Sequence, residues 1–216
     1  MKFELIPILD RMIDFYHQPR SFERFKEYLY ALQGDTKGDL VLPISGFNPM
    51  AKEHIPQKLI RLKDLNAEAI AQQVMDDINA RDLIPANQRV IRVALTLADD
   101  LKGGWTNRYT TDYDSKFKLN ALVNRNFCVP YFWSSEEYST DMIKLRIAEH
   151  LFRTLYRMNY PQPNTLREHV QQELFVTRET NQLNGGVNSE WDRVHLFYLE
   201  NMESDQYNLI FNFFLW

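Results

Sequence analysis

Apolar positions along the chain recur mainly at three- and four-residue spacing, the period of an amphipathic helix. Ile70, Val74 and Ile78 share one face of the segment from Asn66 to Asn79, and Glu68, Gln72 and Asp76 fall elsewhere around it. At 100° per residue, Tyr138, Met142, Leu145, Ala148, Phe152 and Leu155 form the apolar face of a longer helix. The capping box Ser134-Ser135-Glu136-Glu137 predicts its start, and Pro161 its end near Asn159. A second capping box, Thr165 to Glu168, opens a helix to about Val176. After a loop at Gln182-Leu183-Asn184-Gly185-Gly186, a last helix is predicted from Ser189 to Met202. Two helices open the chain, from about Pro7 to Gln18 and from Ser21 to Leu32; Pro19 separates them, Ser21 caps the second and Gly34 ends it.

Elsewhere the helical period gives way to short apolar runs. Arg89 to Leu97 is apolar and rich in β-branched residues, the pattern of a strand covered on both faces. Asp39 to Ile44 and Phe127 to Trp133 read as two further strands. Between the first two, Asn48-Pro49 predicts a helix start and Pro56 a fresh helical segment. Strand, helices, strand is the order of a right-handed crossover, so these strands are expected to be parallel. The fold class is therefore α/β, bordering on α+β: a helix-dominated single domain around a small, partly parallel sheet of about three or more strands. Residues 1–216 form one globular unit, with a helical pair over 1–36, a strand-helix-strand core over 37–133 that carries a polar loop at 98–115, and helices over 134–216.

A length of 216 residues suits one domain, and 44% hydrophobic with 25% charged residues is ordinary for a globular protein. Aromatic residues, 13% of the chain, predict a bulky core or an aromatic-lined pocket or interface. The net charge of −4 argues against double-stranded nucleic acid as partner. With one cysteine, Cys128, no intrachain disulfide forms; its apolar surroundings predict a buried, inert thiol. The first residues lack a secretory pattern and no run approaches the roughly 20 apolar residues of a membrane span, so a cytoplasmic protein without a membrane partner is expected. The apolar stretch Leu209 to Trp216 is expected to pack into the core or into a subunit interface, which makes a homodimer a candidate state.

Signatures for dinucleotides, phosphate loops, zinc proteases and nucleophile elbows are absent. The segment Asp99 to Asp114, which follows the best strand, carries the densest chemistry. In open α/β sheets, loops and helix N-termini converge at the carboxyl ends of strands, where ligands bind. Asp99 and Asp100 are candidates for a catalytic base or for holding a divalent metal such as magnesium, a hard cation that takes oxygen ligands. Gly103 and Gly104 let backbone approach a ligand, Trp105 offers a stacking face, and Asn107 and Arg108 suit an anion. The competing reading is a long connection whose Asp, Thr and Asn side chains bond to nearby backbone.

On the long helix, Arg146, His150, Arg153 and Arg157 share a stripe; Arg146 and Arg153 are candidate anion contacts, against an ordinary solvated face in which Glu149 pairs with Arg153. His169 and Glu173, at i and i+4, are the locally plausible metal pair. If the sheet is parallel, Ser45 to Met50 and Ser134-Ser135 open on the same edge as Gly103-Gly104. The leading expectation is a small-molecule-binding protein or enzyme acting on a phosphate- or carboxylate-bearing compound at the loop after strand 89–97. The alternative is a non-enzymatic assembly module using the aromatic C-terminal surface.

Overall fold

The computed structural model describes residues 1–35, 38–81, 83, 89–101, 103–184 and 195–214. Its first element was not foreseen: β1 (Lys2–Leu5) lies parallel to β2 (Val90–Val93), with Phe3 opposite Ile91. Asn79, the last residue of the helix Ala67–Asn79, closes the outer edge of β1. Its Oδ1 accepts from Phe3 N and its Nδ2 donates to Phe3 O, both at 2.9 Å, so one side chain stands in for a neighbouring strand.

α1 (Leu9–Asp14) and a 3₁₀ turn (Phe15–His17) fill the first predicted helical stretch, and α2 (Phe22–Gln33) the second. Ser21 caps α2, and Gly34 ends it at φ 64°, where a side chain would be strained. The strand expected over Asp39 to Ile44 does not form. Val41 N and Leu42 N both bond back to Leu32 O, so this run folds onto the end of α2. Nor does a helix start at Asn48-Pro49: Asn48 Oδ1 accepts from Met50 N in a local turn, and α3 (His54–Asp64) begins later. α4 (Ala67–Asn79) matches its periodicity.

The run Arg89 to Leu97 becomes β2 and β3 (Thr96–Ala98), and the run Phe127 to Trp133 becomes β4 (Phe127–Cys128) and β5 (Tyr131–Trp133). Both pairs are parallel, in a three-stranded sheet ordered β1-β2-β4 and a two-stranded sheet β3-β5. Ala94 N to Cys128 O and Thr96 N to Pro130 O carry the ladder across the break, so the two sheets follow one another along the same ribbon. The region between β3 and β4, expected as loop until 115, holds α5 (Arg108–Phe117) and α6 (Asn120–Asn124).

α7 (Thr140–Asn159) starts later than expected, with Ser139 Oγ accepting from Met142 N. α8 (Leu166–Asn184) opens at the expected capping box but runs beyond Val176. α9 (His195–Asn201) and α10 (Tyr207–Phe213) complete the chain; the expected start of the last helix at Ser189 and the glycines of the preceding loop lie outside the described residues. The result is a helix-dominated α/β domain. The main core gathers Phe3, Ile91, Leu97 and Phe132 from the strands with Val74, Ile147 and Leu151 from the helices. A smaller aromatic cluster joins Tyr113 and Phe117 to Leu166 and Ile210, with Phe211 and Phe214 packed on it. Cys128 is buried, and burial pushes its thiol up to about 12. Among the described residues no helix is long and apolar enough to cross a membrane.

Candidate functional site

β3 ends at Ala98, and the next side chain, Asp99, is 2% exposed. Groups from two other stretches converge on it. Asn48 Nδ2 donates to Oδ2 at 2.9 Å, His54 Nε2 lies 3.0 Å from Oδ1, and Ser134 Oγ lies 3.1 Å from Oδ1. A carboxylate accepts, so His54 donates Nε2–H to it and turns Nδ1 away from it. The His54 side chain is 32% exposed, and Nδ1 has no protein partner among the described residues. The Ser45–Met50 junction, the glycine loop and Ser134-Ser135 meet at one edge with Asp99 at the centre, but the helix N-termini expected at Asn48 and Ser134 do not form there, since α3 begins at His54 and α7 at Thr140. The donors around Asp99 bring N–H and O–H groups rather than lone pairs, an arrangement that orients an imidazole rather than assembles oxygen ligands around a cation.

Around this centre the loop is tightly closed. Thr106 N bonds to Asp99 O, Gly104 N to Leu101 O, and Thr106 Oγ1 to Gly46 O. Gly104 is required by contact: a Cβ there would overlap the Asp99 carbonyl. Gly103 instead faces open space at φ 88°. Asp100 accepts from Ser135 N at 3.0 Å and from Ser135 Oγ at 2.6 Å, while Ser134 Oγ lies 3.1 Å from its Oδ1. Burial acts to raise the Asp100 pKa, but these hydrogen bonds outweigh it and hold the carboxyl below its usual value. Ser134-Ser135 thus serves Asp99 and Asp100 rather than capping α7.

Asn107 is the N-cap of α5, its Oδ1 accepting from Thr110 N. Arg108 meets Ser135 Oγ at 2.9 Å and Glu136 Oε1 at 2.6 Å; Arg146 takes Glu136 Oε2 at 2.5 Å. One carboxylate therefore answers both guanidinium groups. Trp105 is 49% exposed and sets its edge against Phe25 and Tyr28, with ring centroids 6.1 Å away.

The remaining candidates lie elsewhere. Arg153 is buried between α7 and α8, with Nε 2.9 Å from Glu173 Oε1, Nη2 2.6 Å from Glu173 Oε2, and Nη1 3.4 Å from Glu149. This buried ion-pair network corrects the expectation of a solvated stripe. His169 gives Nδ1–H to Thr165 O and receives the Tyr113 hydroxyl on Nε2, so its ring nitrogens and the carboxylate of Glu173 are separately engaged. Among the described residues no three His, Cys, Asp or Glu side chains converge where they could hold a metal ion. His150 donates Nδ1–H to Arg146 O, while its Nε2 is buried without a partner; burial foremost, then the charge of Arg153, pushes its pKa down to about 3.

Sequence reasoning did not place His54, Tyr16 or Arg24 in this site. Tyr16 donates its hydroxyl to Asn48 O at 2.6 Å, beside the Asp99 cluster. Burial raises its pKa, Arg24 opposes that rise and the Asp99 carboxylate adds to it, so the phenol stands within the fields of both. The Arg24 guanidinium lies over the Tyr16 ring, 3.8 Å from its centroid, and the residue is 4% exposed. A histidine beside a helix start was the available signal for His54; nothing in the periodicity of α2 marks Arg24. Compared with protein-family models, curated proteins and solved structures, the chain matches none.

Proposed function

We propose that the protein binds, and acts on, a small anionic compound at the carboxyl edge of β3, over the His54–Asp99 pair. The observation that carries this reading is the convergence on Asp99. Asn48 and His54 from one stretch and Ser134 from another, each at least 35 residues from Asp99 in sequence, direct polar side chains to one buried carboxylate, and the imidazole held there keeps one nitrogen towards solvent. Such an arrangement suits proton transfer, since the carboxylate fixes the tautomer and steadies the imidazolium that forms. In this reading His54 Nδ1 takes the proton, Asp99 orients His54 and is itself held by Asn48, Trp105 covers an apolar part of the compound, and the tightly turned Gly103-Gly104 loop shapes the mouth. The anionic character is supported by charge: Asp99, Asp100 and Glu136 already have donors, whereas the nearby buried Arg24 has no carboxylate among the described residues.

A thermal-shift screen against phosphate- and carboxylate-bearing metabolites, with and without magnesium, tests the reading. A ligand that binds only the folded state raises the melting temperature by mass action. The expected outcome is a shift in wild type that folded His54→Gln and Asp99→Asn variants lose. Equal shifts in both variants would overturn the assignment to this edge.

A further inference from the structure

Arg24 is the residue in the first turn of α2 whose surroundings do not account for its charge. Its Nη1 reaches Gln18 O at a long 3.4 Å, and Nε and Nη2 are both buried without a hydrogen-bond partner. A buried guanidinium normally has an acceptor for most of its N–H groups, because removing a charge from water is costly unless it is paired. The Tyr16 ring beneath it meets the flat face by cation–π contact and its hydroxyl also engages the guanidinium, yet Nε and Nη2 stay unmet among the described residues.

The two unmet nitrogens are chemically specific. Nε and Nη2 form the side edge of the guanidinium, whose two parallel N–H vectors match two oxygens of a carboxylate or phosphate. The same molecule shows that edge in use: Arg153 places Nε and Nη2 on the two oxygens of Glu173. Arg24 presents the same edge with no Glu or Asp opposite among the described residues. The N-terminus of α2 adds positive potential at this point, since side chains lean back along a helix towards its start and Arg24 reaches Gln18, before the first turn. Exposed Glu23 is the acidic residue of that turn. Through Tyr16 and Asn48, Arg24 connects to the Asp99 centre.

We propose that the buried, unpaired Nε/Nη2 edge of Arg24, stacked on Tyr16, is an anchor for a two-oxygen anionic group, carboxylate or phosphate, of the compound bound at the His54–Asp99 edge. The proposal rests on the function proposed above and adds the residue that grips the anion. Bound in this way, the anion completes a hydrogen-bonding set that the protein alone leaves open, so affinity comes from relieving an existing deficit as well as from new contact.

Melting temperatures of the full chain measured against inorganic phosphate, sulfate and acetate test this, using wild type, Arg24→Lys, Arg24→Met and His54→Gln. Lysine keeps the charge and loses the fork. Wild type is expected to show a saturable rise, about 5–10 °C at a hundred times the dissociation constant. Arg24→Met should lose the rise and Arg24→Lys should weaken it; a response to acetate alone assigns a carboxylate, and one to phosphate and sulfate a tetrahedral anion. Without ligand, Arg24→Met should melt no lower than wild type, because it removes an unmatched buried charge; a purely structural arginine would lower it. No saturable rise in wild type, or an unchanged rise in Arg24→Met, overturns the anchor. If Arg24→Met loses the inorganic anion while metabolite shifts ignore His54→Gln, the anchor stands and the His54–Asp99 reading falls.

Discussion

His150 places an imidazole nitrogen out of reach of water with no donor to meet it. Its folded pKa of about 3 lies below the ordinary 6.5, so below pH 6.5 the unfolded chain takes up a proton that the folded chain refuses. Stability is therefore expected to fall as pH drops from 6.5 towards 3, by about 1.4 kcal/mol per unit for one such histidine. His169, lowered mainly by burial, acts in the same direction. Urea midpoints between pH 7 and 5 check this, and His150→Asn should flatten the dependence; an equally steep variant would move the cause elsewhere. At this scale the sequence was readable in part. Asp99 and Gly104 stood out because acidic and glycine residues cluster after a strand. Arg24 did not, because what distinguishes it is a missing partner, and local sequence cannot display an absence that tertiary packing creates.

Between elements, the contact of α7 with α8 turns on Arg153 and Glu173. Glu173→Gln keeps one acceptor oxygen but removes the compensating charge and sets an NH2 donor against the guanidinium, leaving Glu149 at 3.4 Å as its carboxylate partner, and a loss of about 3–5 kcal/mol is expected. Adding Arg153→Met should recover most of it, because the unpaired charge is gone; a double-mutant cycle with no coupling would contradict the pairing. Long helices were legible from their apolar period, which survives whatever they pack against. Short elements were not. Four residues at β1 carry little pattern, and their strand geometry depends on β2 and on Asn79 at the far end of α4. Asp39 to Ile44 carries strand-like residues but finds its backbone partner in Leu32. Ser134-Ser135 resembles a helix cap and is drawn instead to the two aspartates.

For the molecule as a whole, the ribbon narrows from three strands to two, since β1 runs beside β2 alone while β3 pairs with β5. The proposed site lies at the end of the narrow half, where irregular segments from residues 45–50 and 99–106 meet. That meeting was inferred from parallel topology, although the strand first assigned to it does not form; β1 supplies the crossover instead. The C-terminal aromatics pack largely onto α5 and α8, yet Phe197, Leu199 and Tyr207 remain exposed at 44%, 49% and 45%. Assembly through the apolar end Phe211 to Trp216, the rival reading, whose last two residues lie outside the described ones, requires a concentration-dependent dimer in sedimentation that removal of the last six residues abolishes; a monomer at every concentration ends it. Trp105 has a further consequence. Among the described residues one indole, Trp105, stands half in water at the mouth of the proposed site, while Trp133 is 2% exposed, so the protein carries its own optical gauge. A compound that covers Trp105 should blue-shift the emission and shield it from acrylamide, and Trp105→Phe should abolish that response, reporting occupancy in solution without any label.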